Sequence, residues 1–162
     1  MSRASARAFI GLGANLGDPE AQVRTAIAAI AALPSTRLAR ASSMYRTAPL
    51  GYADQPDFVN AVAEIETELE PRELLAALQA IENRSGRERP FPNAPRTLDL
   101  DVLLYDDRVI HEPGLEIPHS RMHERAFVLA PLVEIDPAIE IPGHGRAVDC
   151  LARIRDQRIA KS

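Results

Sequence analysis

Two carboxylates within an apolar strand pattern are the residues of this sequence best placed to do chemistry. Residues 98–105 read Leu-Asp-Leu-Asp-Val-Leu-Leu-Tyr. On a strand, residues two apart point to one face, so Asp99 and Asp101 are expected to project side by side. The opposite, apolar face would carry Leu98, Leu100, Val102 and Leu104. Neighbouring anions repel unless a cation lies between them, and magnesium accepts such oxygens together with phosphate oxygens. The pattern therefore predicts a magnesium site for phosphoryl chemistry.

Basic residues surround a proline-rich stretch just before this strand. Residues 90–95 read Pro-Phe-Pro-Asn-Ala-Pro, and the arginines around them are Arg84, Arg87, Arg89 and Arg96. Guanidinium groups bind phosphate oxygens through paired hydrogen bonds, which suits a metal site that takes a polyphosphate. Two alternatives stay open at this point. The Asp-x-Asp pattern also fits the wet face of an edge strand, and the arginines also fit an ordinary charged surface.

Composition limits the classes of protein to consider. The chain has 162 residues, 46% of them hydrophobic and 26% charged, as is typical of one soluble globular domain. A net charge of −4 offers no general attraction to nucleic acid or to anionic membranes. We expect no membrane span and no secretory signal. The single cysteine, Cys150, excludes an intrachain disulfide framework and fits a reducing cytoplasm. We expect one domain over 1–162, acting as a monomer.

The order of the predicted elements indicates an α+β fold. Strands are expected over 8–13, 36–47, 57–67 and 98–105, with helices from Pro19 to about 33 and from Pro71 to about 85. Asp18 before Pro19 is typical of a helix start. This order is the ferredoxin-like βαββαβ plan, with the later residues as C-terminal additions. We expect a single sheet with helices on one face and the active site at the other.

The C-terminal additions give weaker patterns. Val109 and Ile110 predict a short strand, residues 119–133 a helix that begins near Ser120 or Arg121, and the tail from Val148 a last short helix.

The glycine-rich run from Gly11 to Gly17 differs from known nucleotide-binding loops. Its third glycine comes one position too late for G-x-G-x-x-G, and no Lys-Ser or Lys-Thr pair follows. We therefore expect a structural turn after the first strand. His119 and His123 could share a helix face, but no third zinc ligand lies nearby in the sequence. At the start of a helix, His119 is better placed to donate to a phosphate.

Five blocks of sequence carry a resemblance. They are Phe-Ile-Gly-Leu-Gly-Ala-Asn-Leu-Gly-Asp at 9–18, Tyr-Arg-Thr-Ala-Pro-Leu-Gly at 45–51, Gln-Pro-Asp-Phe-Val-Asn-Ala at 55–61, Pro-Arg-Thr-Leu-Asp-Leu-Asp at 95–101, and Pro118-His119 with Arg125-Ala126-Phe127. In this order they resemble the 6-hydroxymethyl-7,8-dihydropterin pyrophosphokinase family, over about residues 8–150. The Arg-Thr-Leu-Asp-Leu-Asp signature is highly specific when the other blocks accompany it.

The resemblance implies a reaction and a ferredoxin-like fold. The reaction is transfer of a diphosphate group from ATP to the hydroxymethyl oxygen of the pterin, with release of AMP, in folate biosynthesis. By similarity, Asp99 and Asp101 hold two magnesium ions, and Arg87 and Arg96 act with them in catalysis. The ATP contacts that the resemblance implies are Gln79, Glu82, Arg87, Arg89, Arg96, His119 and Arg125.

The resemblance also implies a pterin site. Its residues are Thr47, Ala48, Leu50, Phe58, Asn60 and Phe127. Asn60, with backbone groups near Thr47 and Leu50, would bind the hydrogen-bonding edge of the pterin, and the two phenylalanines would sandwich its ring. The alternative for Phe58 and Phe127 is a place in the core.

The sequence departs from some family members at three places. Phe58 replaces a tyrosine, which keeps stacking and removes a hydroxyl, and Ser120 replaces an aromatic residue after the histidine. The loop over 90–94 is one residue shorter and lacks a basic-tryptophan pair, so Phe91 is its one aromatic residue. We expect segments 48–56 and 86–95 to become ordered when ligands bind.

Two rival functions fit parts of the pattern. A magnesium-dependent nucleotide phosphohydrolase would use the same Asp pair. A catalytically inert ferredoxin-like module that senses a ligand or binds RNA would not need the pair, and RNA binding favours a basic surface with exposed aromatic residues.

Overall fold

The computed structural model describes residues 5–15, 17–47, 58–85, 98–154, 157 and 159–161. The strands are β1 (Ala6–Ala14), β2 (Thr36–Ala41), β3 (Tyr45–Thr47), β4 (Phe58–Thr67), β5 (Asp99–Tyr105), β6 (Ile110–Glu112), β7 (Leu115–Ile117), β8 (Glu140–Ile141), β9 (Gly145–Arg146) and β10 (Ala160–Lys161). The helices are α1 (Pro19–Ala31), α2 (Pro71–Ser85), α3 (Ala126–Ile135) and α4 (Ala147–Ala152), with a short 3-10 helix at Met122–Glu124. Segments 48–56 and 86–95, which we expect to become ordered with ligands, lie outside the described residues.

A six-stranded sheet organises this fold of mixed helices and strands. Its order is β10-β3-β4-β1-β5, and β2 pairs with the part of β4 that β3 leaves free. Each described pairing is antiparallel. The expectation of a single sheet is wrong, because β6-β7 and β8-β9 form two further two-stranded sheets. Pro-Gly pairs at 113–114 and 142–143 allow their tight turns, and both glycines have positive φ.

Helices α1 and α2 cover one face of the main sheet, as the sequence predicts. The Asp18 side chain accepts a hydrogen bond from the Ala21 backbone N–H at 3.2 Å, and Pro19 opens α1. The predicted apolar face of β4 is confirmed, since Val59, Ala61, Ala63 and Ile65 all belong to this core. Within the described ranges, no helix is both long and apolar enough to cross a membrane.

Helices α3 and α4 pack on the other face, so the expectation of helices on one face only is wrong. Their core includes Phe9 of β1 and Val62 of β4, which point away from α1 and α2. Large apolar side chains on that face must be covered from water, and the buried apolar residues of α3 cover them. One part of this face is left for a cavity.

A β-bulge in β5 changes which way its last residues point. Phe9 pairs with Leu104, but Ile10 pairs with Val102, so Leu103 is an extra residue in β5. Leu103 and Leu104 both lie in the core under α3. The predicted direction of Leu104 is therefore wrong. The directions of the apolar residues before the bulge, Leu98, Leu100 and Val102, are confirmed.

Charged groups at the far end of the sheet attach α3 to it. Arg7 Nε lies 2.9 Å from Glu64 Oε2, and its Nη2 lies 2.7 Å from Asp136 Oδ2 at the end of α3. Arg40 Nη1 donates to the Ile135 carbonyl at 2.8 Å. The hydrogen bond from Arg7 lowers the pKa of Asp136 below its ordinary value of 3.8.

Lowering the pH should weaken the ion pair between Arg7 and Asp136, which attaches α3 to the sheet, because Asp136 becomes protonated. A carboxyl whose pKa is lowered by folding stabilises the fold above its ordinary pKa, and the contribution is lost as pH falls through the folded pKa. We expect Asp136→Asn to lose less free energy of unfolding than the wild type between about pH 7 and about pH 3. Urea unfolding at both pH values measures this, with the exposed Asp107→Asn as control. A full wild-type loss in Asp136→Asn would contradict the assignment.

Candidate active site

A cavity of about 810 Å³ lies between the sheet and the region around the start of α3. Its walls come from β1, β3, β4 and β5, from the residues around the 3-10 helix, and from the C-terminal tail. The lining residues that the sequence predicts are Thr47, Phe58, Asn60, Asp99, Asp101, His119, Arg125 and Phe127. Residues far apart in the chain therefore meet in one place.

Two glycines of β1 form the floor of the cavity. Gly13 lies between Asp99 and Asn60 in the sheet, and Gly11 lies between Asp101 and Val62. A Cβ on Gly13 would approach Asn60 Oδ1 to 3.0 Å. The strand predicted over 8–13 is confirmed, because β1 runs through both glycines, and Gly17 with its positive φ lies after the strand, where the turn is expected. A glycine inside a strand commonly marks close approach of a ligand or backbone, which was the available sequence signal.

Asp99 and Asp101 are exposed on one face of β5, as predicted, and both line the cavity. The backbone of β5 is held between the two aspartates and again two residues after Asp101. Glu82 Oε2 accepts the Leu100 backbone N–H at 2.7 Å, and the His119 backbone N–H donates to the Leu103 carbonyl at 3.0 Å. Both bonds use backbone groups of β5 that form no hydrogen bond with β1. Together with the pairing to β1, they hold in place the strand that carries the carboxylates.

His119 lies close enough to Asp101 for the two to interact electrostatically. Burial lowers the pKa of His119, Asp101 opposes that shift, and Arg125 and Arg121 reinforce it. The imidazole is therefore neutral at neutral pH. Its Nδ1 accepts the Arg121 backbone N–H at 3.2 Å, so Nε2 carries the proton and is a hydrogen-bond donor. The Nε2–H group of this neutral imidazole can donate a hydrogen bond to a phosphate oxygen in the cavity.

Two arginines, Arg121 and Arg125, form a basic wall of the cavity that the two carboxylates line. Arg125 has an extended backbone between the 3-10 helix and α3, and its guanidinium carbon lies 5.5 Å from the centre of the Phe127 ring. Arg121 also lines the cavity, with Nε 3.5 Å from Glu124 Oε2.

The helix predicted over 119–133 is wrong at its start, because α3 begins only at Ala126, after the extended Arg125.

Another part of the cavity, which meets the arginines at Phe127, is apolar with one amide. Asn60 is 6% exposed, and its Nδ2 donates to Thr47 Oγ1 at 3.1 Å on the neighbouring strand. Phe58 and Phe127 are half-buried and both line the cavity. Phe127 also packs against the core under α3, so it serves both the core and the cavity wall. Flat apolar surfaces beside an amide suit a flat heterocycle with a polar edge.

Some predicted site residues are not brought to this cavity. Gln79 is exposed on α2, and Glu82 binds the β5 backbone instead, so their contact with ATP stays a prediction. Five more lie outside the described residues, namely Ala48, Leu50, Arg87, Arg89 and Arg96.

Several lining residues are absent from the sequence predictions. They are Gly11, Leu12, Gly13, Ala61, Leu103, Arg121, Glu124, Val128, Gln157 and Ile159. Arg121 and Glu124 lie next to predicted residues in the sequence, which was a usable signal. Gln157 and Ile159 belong to a tail with no pattern that points to the cavity.

The carboxylate pair has a donor set that fits magnesium. Among the residues that the structure describes, no group of three or more His, Cys, Asp or Glu side chains could hold a metal. Zinc sites usually need such a group, whereas magnesium is commonly held by one or two carboxylates, waters and substrate phosphates. Asp99 and Asp101 thus fit an ion that arrives with a phosphate ligand.

Comparison with known proteins agrees with this chemistry. The family model of 7,8-dihydro-6-hydroxymethylpterin-pyrophosphokinase (HPPK) matches residues 9–137. A 2-amino-4-hydroxy-6-hydroxymethyldihydropteridine pyrophosphokinase of Haemophilus influenzae is 46% identical over 154 residues, which are 95% of this chain and 96% of the relative. The enzyme of the same name from Bacillus subtilis is 47% identical over 133 residues, or 82% of this chain and 80% of the relative.

Solved structures share the fold. Wild-type HPPK-DHPS of Plasmodium falciparum with pterin and p-hydroxybenzoate superposes with a TM-score of 0.75 at 13% identity, over 94% of this chain and 43% of that one. The same protein with pteroate gives 0.73 at 13% identity, again over 94% and 43%. This chain spans less than half of those solved chains, and at such identity they show the fold alone. The family model and the close relatives show that the chain belongs to the 7,8-dihydro-6-hydroxymethylpterin-pyrophosphokinase family.

Proposed function

We propose that the cavity binds ATP and 6-hydroxymethyl-7,8-dihydropterin side by side and transfers a diphosphate group between them, in folate biosynthesis. The observation that carries this proposal is the row Asp99–Gly13–Asn60 across three strands. It brings a carboxylate of the metal pair and a buried amide onto one floor, separated by a residue without a side chain. One substrate can lie over the amide while its reacting group reaches the carboxylates.

The pterin occupies the apolar end of the cavity. Asn60 pairs with the donor and acceptor edge of the pterin, and Thr47 orients the amide. Phe58 and Phe127 bind the two faces of the ring. Backbone groups near Ala48 and Leu50 complete the site, as the family resemblance implies.

ATP occupies the basic end. The neutral His119 donates from Nε2, and Arg125 supplies a cation stacked near Phe127. Arg121 adds a second positive charge to the same wall. Gln79, Glu82, Arg87, Arg89 and Arg96 are further ATP contacts by family resemblance, with Arg87 and Arg96 acting in catalysis.

The reaction needs alignment and charge neutralisation more than a nucleophilic side chain. Magnesium at Asp99 and Asp101, two ions by resemblance, would neutralise phosphate charge and acidify the pterin hydroxyl. The hydroxyl oxygen forms a bond to the β-phosphorus of ATP, and the bond from that phosphorus to the AMP oxygen breaks. Asp101 accepts the hydroxyl proton, and the basic wall stabilises the charge on the departing AMP.

The rival functions fit the cavity less well. A nucleotide phosphohydrolase needs the carboxylates and an entering water, and it has no use for a buried amide in a cavity lined by two phenylalanine rings. An inert ferredoxin-like module that binds ligand or RNA needs no pair of neighbouring carboxylates. The apolar end of the cavity thus favours a second, flat substrate.

The assembly that we propose is one ferredoxin-like domain that acts as a monomer. The order β5-β1-β4 with β2 and β3 on the outer edge, and α1 and α2 on one face, supports that fold assignment. A buried thiol at Cys150 is compatible with a reducing cytoplasm.

Product analysis tests the proposed function directly. The protein is incubated with ATP and magnesium, with and without the reduced pterin. Formation of AMP only when the pterin is present supports pyrophosphoryl transfer. AMP, ADP or phosphate released equally without pterin would indicate a phosphohydrolase, and absence of turnover would indicate the inert module.

Asp101→Asn should nearly abolish turnover and leave the fold intact. The change removes a ligand charge and the assigned proton acceptor at almost constant volume, on an exposed side chain. Steady-state turnover at saturating magnesium and thermal unfolding measure the two effects. Asp107→Asn, exposed just after β5, is the matched control. Wild-type turnover in Asp101→Asn would refute the assigned role.

Asn60→Ala should weaken pterin binding and spare ATP. Loss of a partner for the polar pterin edge costs roughly 1–3 kcal/mol, and Asn60 is assigned no contact with ATP. Titration calorimetry with the pterin and with an ATP analogue whose α–β bridge is methylene measures both affinities. Equal losses for the two ligands would mean that Asn60 supports the fold instead.

Two glycine variants provide a matched check on the same site. A methyl group at Gly13 would come within 3.0 Å of Asn60 Oδ1 and shift the amide assigned to the pterin, whereas one at Gly11 would meet the buried Leu103 side chain at 3.2 Å, which is assigned no pterin contact. Gly13→Ala is therefore expected to reduce pterin affinity more than Gly11→Ala. Equal effects would contradict the placement of the pterin over Gly13.

A further inference from the structure

Gln157 makes two hydrogen bonds that bracket Arg125. Its Nε2 donates to the Glu124 carbonyl at 2.8 Å, and its Oε1 accepts the Ala126 backbone N–H at 2.8 Å. These are the peptide groups immediately before and after Arg125. The side-chain amide has its donor and acceptor next to each other, so one side chain satisfies both groups.

The backbone at Arg125 is also held locally, because its N–H donates to the Met122 carbonyl at 3.3 Å and its carbonyl accepts the Val128 and Leu129 N–H groups at 3.0 Å. It is extended, with φ −120° and ψ 112°, between the 3-10 helix and α3, and its own side chain makes no capping bond to α3. The first N–H groups of a helix have no partner within the helix. Gln157 supplies one to Ala126 from 31 residues away in the sequence. The two hydrogen bonds of Gln157 therefore help to fix the backbone conformation at Arg125, and with it the direction in which the Arg125 side chain starts.

Described residues further along the same tail lie at the cavity and pair with β3. Ile159 lines the cavity, and Ala160 and Lys161 pair with Arg46 and Tyr45 of β3. Thr47, the hydrogen-bond partner of Asn60, is the next residue of β3. Residues of the tail thus contact both β3, beside the proposed pterin site, and the backbone around Arg125, in the proposed ATP site.

We propose that Gln157 is a positioning residue that holds Arg125 in the orientation that binds the ATP phosphates. The inference rests on the proposed role of Arg125. It assigns no contact with substrate to Gln157. Its effect passes through the two peptide groups on either side of Arg125, so ATP affinity depends on it more than pterin affinity does.

Gln157→Met tests the inference because methionine keeps the length of the side chain and removes both hydrogen bonds. The expected result is a rise of about tenfold in the Kd of the α,β-methylene ATP analogue, with pterin affinity within about twofold of wild type. Asp149→Asn, exposed on α4, is the control for changes in this region.

A double-mutant cycle with Arg125→Ala separates positioning from general support. If Gln157 acts through Arg125, Gln157→Met should change analogue affinity by no more than about twofold once Arg125 is alanine. Thermal unfolding of each variant shows whether stability changes. A uniform loss of affinity for both ligands, or an equal effect of Gln157→Met in both backgrounds, would overturn the inference.

The remaining outcomes distinguish this inference from the proposed function. Weak analogue binding in Arg125→Ala with normal binding in Gln157→Met would overturn the role of Gln157 and leave the ATP site in place. Normal binding in Arg125→Ala would overturn the ATP assignment of Arg125 and the inference together. Pyrophosphoryl transfer by the wild-type protein is tested separately by AMP release.

Discussion

Asp99 and Asp101 lie side by side on β5, and two neighbouring carboxylates repel each other unless cations compensate them. Much of the surrounding structure accommodates this pair. The strand that bears it is fixed by Glu82 and by the His119 backbone, and a basic wall lines the same cavity. On its other side the sheet floor has no side chain at Gly13, which leaves space for ligands beside the charges. The charge pair thus determines what the cavity can bind.

The site-bearing face of the sheet is divided between core and cavity. At one end, Arg7 attaches α3 through Asp136, and Phe9 and Val62 fill the space beneath the helix. Towards the other end, the strand residues change from large apolar side chains to glycine and polar groups, so α3 no longer meets a complementary surface. The start of α3 then becomes a wall of the cavity. The packing that stabilises α3 therefore also places Arg125.

Local sequence patterns predicted the structural features that depend on residues close together in the sequence. The period of two placed Asp99 and Asp101 on one face of β5, and capping residues located α1. The bulge at Leu103 was not predictable in this way, because a run of leucines looks the same whichever face each residue takes. Gln157 was missed for a different reason, since its partners lie 31 and 33 residues earlier and a lone polar residue in a tail has no periodicity. The cavity is formed by contacts between residues far apart in the sequence, as at Gln157, and local patterns do not reveal such contacts.

The most direct test of the central claim is crystallography of the protein with Mn²⁺ in place of Mg²⁺, the α,β-methylene ATP analogue and the pterin. Anomalous scattering then locates the metal without assumptions about its ligands. The structure predicts anomalous peaks in contact with the carboxylates of Asp99 and Asp101, between the analogue phosphates and the pterin hydroxymethyl group. Metal bound to the phosphates with neither carboxylate in contact, or bound at other acidic residues, would contradict the assignment of this pair as the metal site.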